Sequence, residues 1–130
     1  MSSSRKNSLY RTSLSGTAVS TDTIFTYAIP EDTTILAQVN LVFADATNAP
    51  PLGSAVFISN IGVKRLGNAA AANVLSTNTA TFSKIDSAIA SSGAPAATWS
   101  ASGNNLILTL TVSTVVSIAY YFCTIELWIN

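Results

Sequence analysis

The side chains that could do chemistry in this chain are few, and carboxylates are the main candidates. The sequence holds six acidic residues, of which Glu31 and Asp32 are the one adjacent pair. Paired carboxylates can cleave glycosidic bonds, but this pair follows Pro30, where turn residues are expected. The remaining acids, Glu126 excepted, fall in predicted loops or strand edges. We therefore interpret Glu31 and Asp32 as turn residues and not as a catalytic or calcium-binding pair.

The chain has few residues for imidazole or thiolate chemistry, because it contains no histidine and a single cysteine, Cys123. A histidine-based triad cannot be built, and one cysteine supplies neither a structural zinc site nor an internal disulfide. No neighbouring base or cation would activate Cys123, which we interpret as a small buried hydrophobe. We expect no catalytic, metal-binding or cofactor-binding residues, no cofactor and no enzymatic activity.

The composition favours association between proteins over binding to nucleic acid or membrane. Hydrophobic residues make up 48% of the chain, charged residues 9%, and the formal net charge is zero, whereas an ordinary domain has about 25% charged residues. Sparse charge gives little repulsion between copies. The basic pair Lys64-Arg65 is too small a footprint for nucleic acid. We also expect no signal peptide, no membrane-spanning helix and no membrane partner.

The final segment, residues 115–130, is apolar on both faces of the strand it predicts. Side chains alternate between the two faces of a strand, yet neither alternate set here is mainly polar. Strands covered on both sides have this composition. In so short a chain we expect the second cover to come from another subunit, which predicts an oligomer interface at Ile118, Tyr120, Phe122 and Trp128.

Other segments also indicate strands. Residues 34–43 alternate as a half-buried strand with its apolar face towards the core, although Leu36 and Val42 break the pattern. Ser102-Gly103-Asn104-Asn105 separates two short strands and predicts a hairpin. Two strands near the N-terminus are expected to be divided at Gly16. About eight strands and no long helix predict an all-β protein, an antiparallel β-sandwich of the jelly-roll type.

Residues 1–11 are predicted to be an extended N-terminal arm, and residues 12–130 a single β-sandwich domain. Three of the six basic residues lie in this arm, and no acid precedes Asp22. We predict that the arm docks on an acidic partner or a neighbouring subunit through Arg5, Lys6, Tyr10 and Arg11. A frayed, solvated terminus is the alternative.

Three segments carry a resemblance to a known class of proteins. They are TTILAQVNL (residues 33–41), IGVKRLGN (residues 61–68) and residues 99–110 with the aromatic strand that ends the chain. Over about residues 10–130 the chain resembles small all-β domains of tailed-bacteriophage structural proteins: head-decoration proteins, head fibres and receptor-binding tips of tail fibres. The resemblance implies a virion protein, a jelly-roll or related sandwich, and a homotrimer.

The resulting hypothesis is a non-enzymatic capsid decoration or cement protein, made in the host cytoplasm and located on the virion at the capsid surface. It would form a homo-oligomer, with a trimer favoured, and its arm would attach to other virion proteins such as the major capsid protein. One alternative is a glycan- or receptor-binding fibre tip with an exposed aromatic residue, although we interpret Trp99 and Trp128 as packing residues. The other alternative is a small coat protein that forms the shell itself.

Overall fold

A computed structural model of the chain describes residues 7–45, 54–67, 72–85, 96–112 and 118–130. The described residues contain strands and no helix. The eight strands are β1 (Ser8–Val19), β2 (Thr21–Ala28), β3 (Thr33–Asp45), β4 (Ser54–Arg65), β5 (Asn73–Ile85), β6 (Ala96–Ser102), β7 (Asn105–Thr111) and β8 (Ile118–Ile129).

The strands form two antiparallel sheets. The five-stranded sheet has the order β1-β8-β3-β4-β5, and the three-stranded sheet has the order β2-β7-β6. The predicted all-β antiparallel fold of about eight strands is therefore confirmed. The jelly-roll arrangement is not confirmed, because β3, β4 and β5 follow one another in a single sheet and leave three strands for the other.

The core contains side chains from both sheets. The inward residues of β3 are almost fully buried, and they belong to one apolar cluster with the inward residues of β7, such as Leu108. Trp99 of β6 joins the two sheets, because its Nε1 donates a hydrogen bond of 3.0 Å to the Ser59 carbonyl oxygen of β4. The Trp99 ring also packs edge-on against Phe25 at a centroid distance of 6.2 Å.

The corner between β1 and β2 lies at Ser20, so the predicted break at Gly16 is wrong. Ser20 adopts a left-handed backbone with φ of 58°, and the Val19 amide donates to Asp22 Oδ2 at 2.8 Å. β1 runs through Gly16, which lies against the ring of Tyr121 on β8. A Cβ at Gly16 would come within 3.0 Å of the Tyr121 hydroxyl oxygen, so this glycine leaves room for a ring.

Two other turns were predicted correctly. Asp32 has a left-handed backbone with φ of 52°, which aspartate tolerates, and its Oδ1 accepts a hydrogen bond of 2.8 Å from the Gly67 amide. The hairpin between β6 and β7 pairs Ser102 with Asn105, and Gly103 supplies the positive φ of 58° at the first loop position.

The N-terminal arm is not confirmed. Residues 1–6 lie outside the described part of the chain, and residues 8–11 belong to β1, where they pair with the end of β8. The sequence suggested an arm because it is basic and rich in serine, but pairing with a strand more than a hundred residues away leaves no local pattern. The division into residues 1–11 and 12–130 stays a prediction.

Candidate interaction surface

β8 presents its second apolar set on the outer face of the five-stranded sheet, away from the core. Ile118, Tyr120, Phe122 and Trp128 are 36%, 60%, 55% and 39% exposed. The residues that alternate with them point inward, and of these Ala119, Cys123, Ile125 and Leu127 are fully buried. The structure therefore places all four predicted interface residues on one surface that the described part of the chain leaves accessible.

The strands on either side of β8 extend this surface. Trp128 lies opposite Leu9 of β1 and Leu36 of β3, and we name these three residues the Trp128 cluster. Nearer the other end of β8, the Phe122 cluster consists of Val19, Val42, Ile118, Tyr120 and Phe122. All members of both clusters are exposed. Val19 lies directly across from Ile118 and Val42 from Phe122, and such side chains lie in contact range. Ile118, Tyr120 and Phe122 follow one another on the same face of β8, so the members of each cluster are neighbours on the surface.

Polar residues separate the two clusters. Arg11, Glu126, Gln38 and Asn60 lie side by side on β1, β8, β3 and β4. The next row contains Ser13, Thr124 and Asn40. Together these seven residues form what we name the polar belt. Arg11 Nε donates to Glu126 Oε2 at 2.7 Å, and because Arg11 is mostly exposed the ion pair contributes about 0–1 kcal/mol.

Four residues of this surface were not identified as interface residues from the sequence. Leu36 and Val42 break the alternation of β3 in the sequence. That break is the signal that could have identified them as surface residues, because an apolar side chain on the solvent-facing side of a strand needs an explanation. Leu9 and Val19 gave no such signal, because their pairing partners on β8, Trp128 and Ile118, are distant in the chain.

The predicted docking residues of the arm do not form one group in the structure. Arg5 and Lys6 lie outside the described residues. Tyr10 is on the inward side of β1, where its ring lies 5.6 Å from that of Tyr27. Arg11 is on the outer face with Glu126. Successive residues of a strand point in opposite directions, so Tyr10 and Arg11 lie on opposite faces of β1, and docking through these residues stays a prediction.

The two tryptophans differ in accessibility. Trp99 is 3% exposed, so the packing interpretation is right for it, and it cannot stack on a ligand. Trp128 is not a core residue, because its side chain is 39% exposed on the outer face, beside Leu9 and Leu36. A depression of about 500 Å³ lies beside it, with Leu9, Thr34 and Leu36 in its walls.

Burial raises the pKa of two side chains in the described part of the chain, Cys123 and Tyr121. Cys123 is a fully buried free cysteine, and burial raises the pKa of its thiol, an effect that a backbone hydrogen bond at Leu14 partly offsets. Burial likewise raises the pKa of Tyr121, with smaller contributions from Cys123 and Asp22. Within the described ranges no cluster of acidic, cysteine or histidine side chains could hold a metal ion. Nor does this part of the chain contain a helix long and apolar enough to cross a membrane.

No protein-family model matches the chain, and no curated protein is significantly similar to it in sequence. Three solved structures share part of its strand arrangement. They are the tailspike proteins of Acinetobacter baumannii phage AM24 (14% identity, TM-score 0.44), of Acinetobacter baumannii bacteriophage Fri1 (12%, 0.46) and of Acinetobacter phage vB_ApiP_P1 (19%, 0.33).

These likenesses cover 93%, 92% and 100% of this chain but only 26%, 17% and 22% of the respective tailspikes. The chain thus spans about a quarter or less of their length. All three TM-scores lie below 0.5, so the likeness by itself decides neither fold family nor function. The three proteins are tailspikes and not head-decoration proteins.

The prediction that the chain is not an enzyme is contradicted by one of these matches. The Fri1 tailspike is described as a capsular polysaccharide depolymerase, which is an enzyme. The residue types of the sequence exclude histidine, zinc and cofactor chemistry. Glycosidic bonds, however, are cleaved by pairs of carboxylates, and a chain with six acidic residues can contain such a pair. That description belongs to the Fri1 protein.

The buried thiol generates a testable prediction. The thiolate is the reactive form, and a raised pKa keeps the Cys123 thiol protonated in the folded chain. We expect no labelling of native protein by Ellman's reagent at pH 8 within minutes, and one thiol per chain labelled after unfolding in guanidinium. As a control, the exposed site Thr98 is replaced in the variant Cys123→Ser/Thr98→Cys, which should label at once. Rapid labelling of native Cys123 would contradict the described burial.

Proposed function

We propose that this chain is a β-sandwich module of a bacteriophage tail protein, and that it assembles with other copies of itself through the outer face of the five-stranded sheet. The observation that carries the proposal is the exposed apolar surface made by the Trp128 and Phe122 clusters. Single exposed apolar residues are ordinary on protein surfaces, whereas contiguous apolar patches mark interaction sites.

The other sheet provides an internal comparison. The outward residues of β6 and β7 are mainly hydroxyl-bearing, as at Thr98, Ser100 and Thr109. That face has the polar composition of a sheet face in contact with water. The same chain therefore has one polar outer face and one with aromatic and aliphatic side chains, and general hydrophobicity of the sequence does not explain the difference.

The assignment to a phage virion is supported by the resemblance of residues 33–41, residues 61–68 and residues 99–110 with the final aromatic strand to small all-β domains of phage structural proteins, which include receptor-binding tips of tail fibres. We prefer the tail to the capsid surface because the solved structures similar to the chain are tailspike proteins, and because residues 8–11 of the arm on which the decoration hypothesis relied belong to β1. Attachment to the major capsid protein and formation of the whole shell have no support in the structure and are not part of the proposal.

The proposal does not depend on the number of copies in the assembly. The resemblance to phage proteins implies a trimer, but a sheet face alone does not specify rotational symmetry. The proposal requires that the Phe122 and Trp128 clusters become buried in the assembly, in agreement with the interface predicted at Ile118, Tyr120, Phe122 and Trp128.

Self-association is tested by sedimentation velocity between about 1 and 100 µM. We expect the wild-type chain to form oligomers. Phe122→Asp places a charge in the middle of an apolar patch and should weaken association about 30-fold or more, since buried aromatic anchors carry about 2 kcal/mol or more of binding free energy. Thr98→Asp adds the same charge to the other sheet and should associate as the wild type does. A folded wild-type chain that stays monomeric at 100 µM would contradict the proposal.

A second candidate function is glycan binding, favoured by the accessible indole of Trp128 beside the depression of about 500 Å³. Aromatic faces in shallow clefts can stack on the apolar face of a sugar ring. On a glycan array, we expect binding by the wild type that Trp128→Ala abolishes and that Thr98→Ala retains. Absence of signal for the wild type, or equal signal for wild type and Trp128→Ala, would remove this candidate.

A further inference from the structure

We infer that the free edge of β1, the side of this strand turned away from β8, binds an extended segment of another protein as an added strand. The inference goes beyond the proposed function, because it concerns the edge of the five-stranded sheet and not its outer face. β1 ends that sheet, and in the described part of the chain it pairs with β8. The backbone N–H and C=O groups at such an edge form a template for a further strand.

β1 differs from the other three edge strands in its length and regularity. Proteins protect sheet edges from strand addition by bulges and by short edge strands. β2 has a register shift between Thr23 and Phe25, β5 has two register shifts, and β6 has seven residues. β1 has twelve residues without a proline, and it pairs with β8 from Ser8 to Val19 without a register shift. Its free edge is therefore straight pairing surface over about 40 Å.

The glycine within β1 does not interrupt this edge. Glycine in a strand often marks a bulge, because it has no side chain to pack. Gly16 lies directly opposite Tyr121 in the register, and the Tyr121 ring fills the space beside it, since a Cβ at Gly16 would lie 3.0 Å from the Tyr121 hydroxyl oxygen. An aromatic ring across from a glycine stabilises regular pairing at an edge. The free edge is thus regular through Gly16 as well.

Apolar side chains on the inner side of the edge are incompletely covered. Tyr10 points into the sandwich and is nevertheless 40% exposed. Its ring lies 5.6 Å from that of Tyr27 on β2, which stacks on Phe25 at 6.5 Å. Leu14, Phe25 and Tyr27 are only partly buried against the core, and with Tyr10 we name them the edge seam. Inward residues of β8, such as Ile125, are fully buried, so the sandwich is closed at β8 and incomplete at β1.

The two sides of the edge define the chemistry of the segment. Side chains of neighbouring strands pair on each face. On the inner face the segment would lie beside Tyr10 and Leu14, so apolar side chains at alternate positions would cover the edge seam. On the outer face it would lie beside Arg11, Ser13 and Ser15, which favours polar side chains. The Arg11 side chain is 69% exposed and has guanidinium donors beyond Nε, so an acidic residue next to it would be complementary in charge.

Segments of this chain do not have that pattern where it is needed. Residues 1–6 contain one apolar residue, Met1. A second copy of β1 would place Ser8, Thr12 and Gly16 at every second inward position, and these small or polar residues would leave the edge seam uncovered. The occupant is therefore a segment of a different protein, extended and apolar at alternate positions.

Amide hydrogen exchange of the full chain with a probe peptide tests the inference. The probe has about nine residues, alternates valine with threonine, and carries one glutamate in place of a threonine. We expect about half of the β1 amides to exchange at least about 10-fold more slowly with the probe, because alternate residues of a strand bond to each side, and no change in β5 or β6. A control peptide with proline as its central residue lacks a donor there and should protect β1 far less. Unchanged exchange of β1, or equal protection by both peptides, would overturn the inference.

A charge on the inner side of the edge provides the second arm. The Lys side chain of Thr12→Lys can extend into water while the edge is free, whereas an added strand would enclose it. We expect this variant to bind the probe at least about 10-fold more weakly than the wild type, and Thr98→Lys on the other sheet to bind as the wild type does. Unchanged exchange of β3 amides shows that each variant is folded. Equal binding by Thr12→Lys and the wild type would contradict the inference, as would β1 amides that another copy protects without peptide at about 100 µM and not at about 1 µM.

Discussion

The constraint on which the structure depends is that β8, a strand inside a sheet, is apolar on both faces. One face of β8 packs in the sandwich through Cys123, Ile125 and Leu127. The other face carries Tyr120, Phe122 and Trp128, and the described part of the chain places nothing over it. A sandwich of two sheets covers each sheet on one side only, so the eight described strands leave one of the two sets uncovered. The surplus apolar face is the physical reason to expect a partner.

The polar belt divides that surface into two apolar clusters. An interface that covered the belt would take the Arg11–Glu126 ion pair out of water, which is unfavourable unless the partner supplies polar groups. This arrangement also relates the two candidate functions, because an interface that covers Trp128 would also cover the depression beside it. One copy therefore cannot use Trp128 for assembly and for glycan binding at the same time.

Local features of the fold were predictable from sequence, and non-local ones were not. The alternation of β3 and the glycine at the first position of the β6–β7 loop act within a few residues, so the strand and the hairpin were identified. Gly16 was misread as a break, because the reason for a glycine there is the ring of Tyr121, which is distant in sequence. Long-range pairing also decides which sheet β4 and β5 belong to, and the jelly-roll prediction depended on that division of the strands.

On the outer surface, the alternation of side chains within β8 was enough to identify the interface residues of that strand. Leu9 and Val19 could be identified only from the register between β1 and β8, which the sequence does not show. The expectation of no enzymatic activity failed because residue types exclude particular chemistries and not every activity.

The central claim, that the outer face becomes buried between copies, is tested most directly by the accessibility of Trp128 itself. In a Trp99→Phe variant, Trp128 is the sole tryptophan and reports on the outer face alone. The account predicts that between about 0.1 and 100 µM protein its emission shifts to shorter wavelength and its quenching by acrylamide decreases several-fold. Emission and quenching that stay those of an exposed indole over the whole range would contradict it.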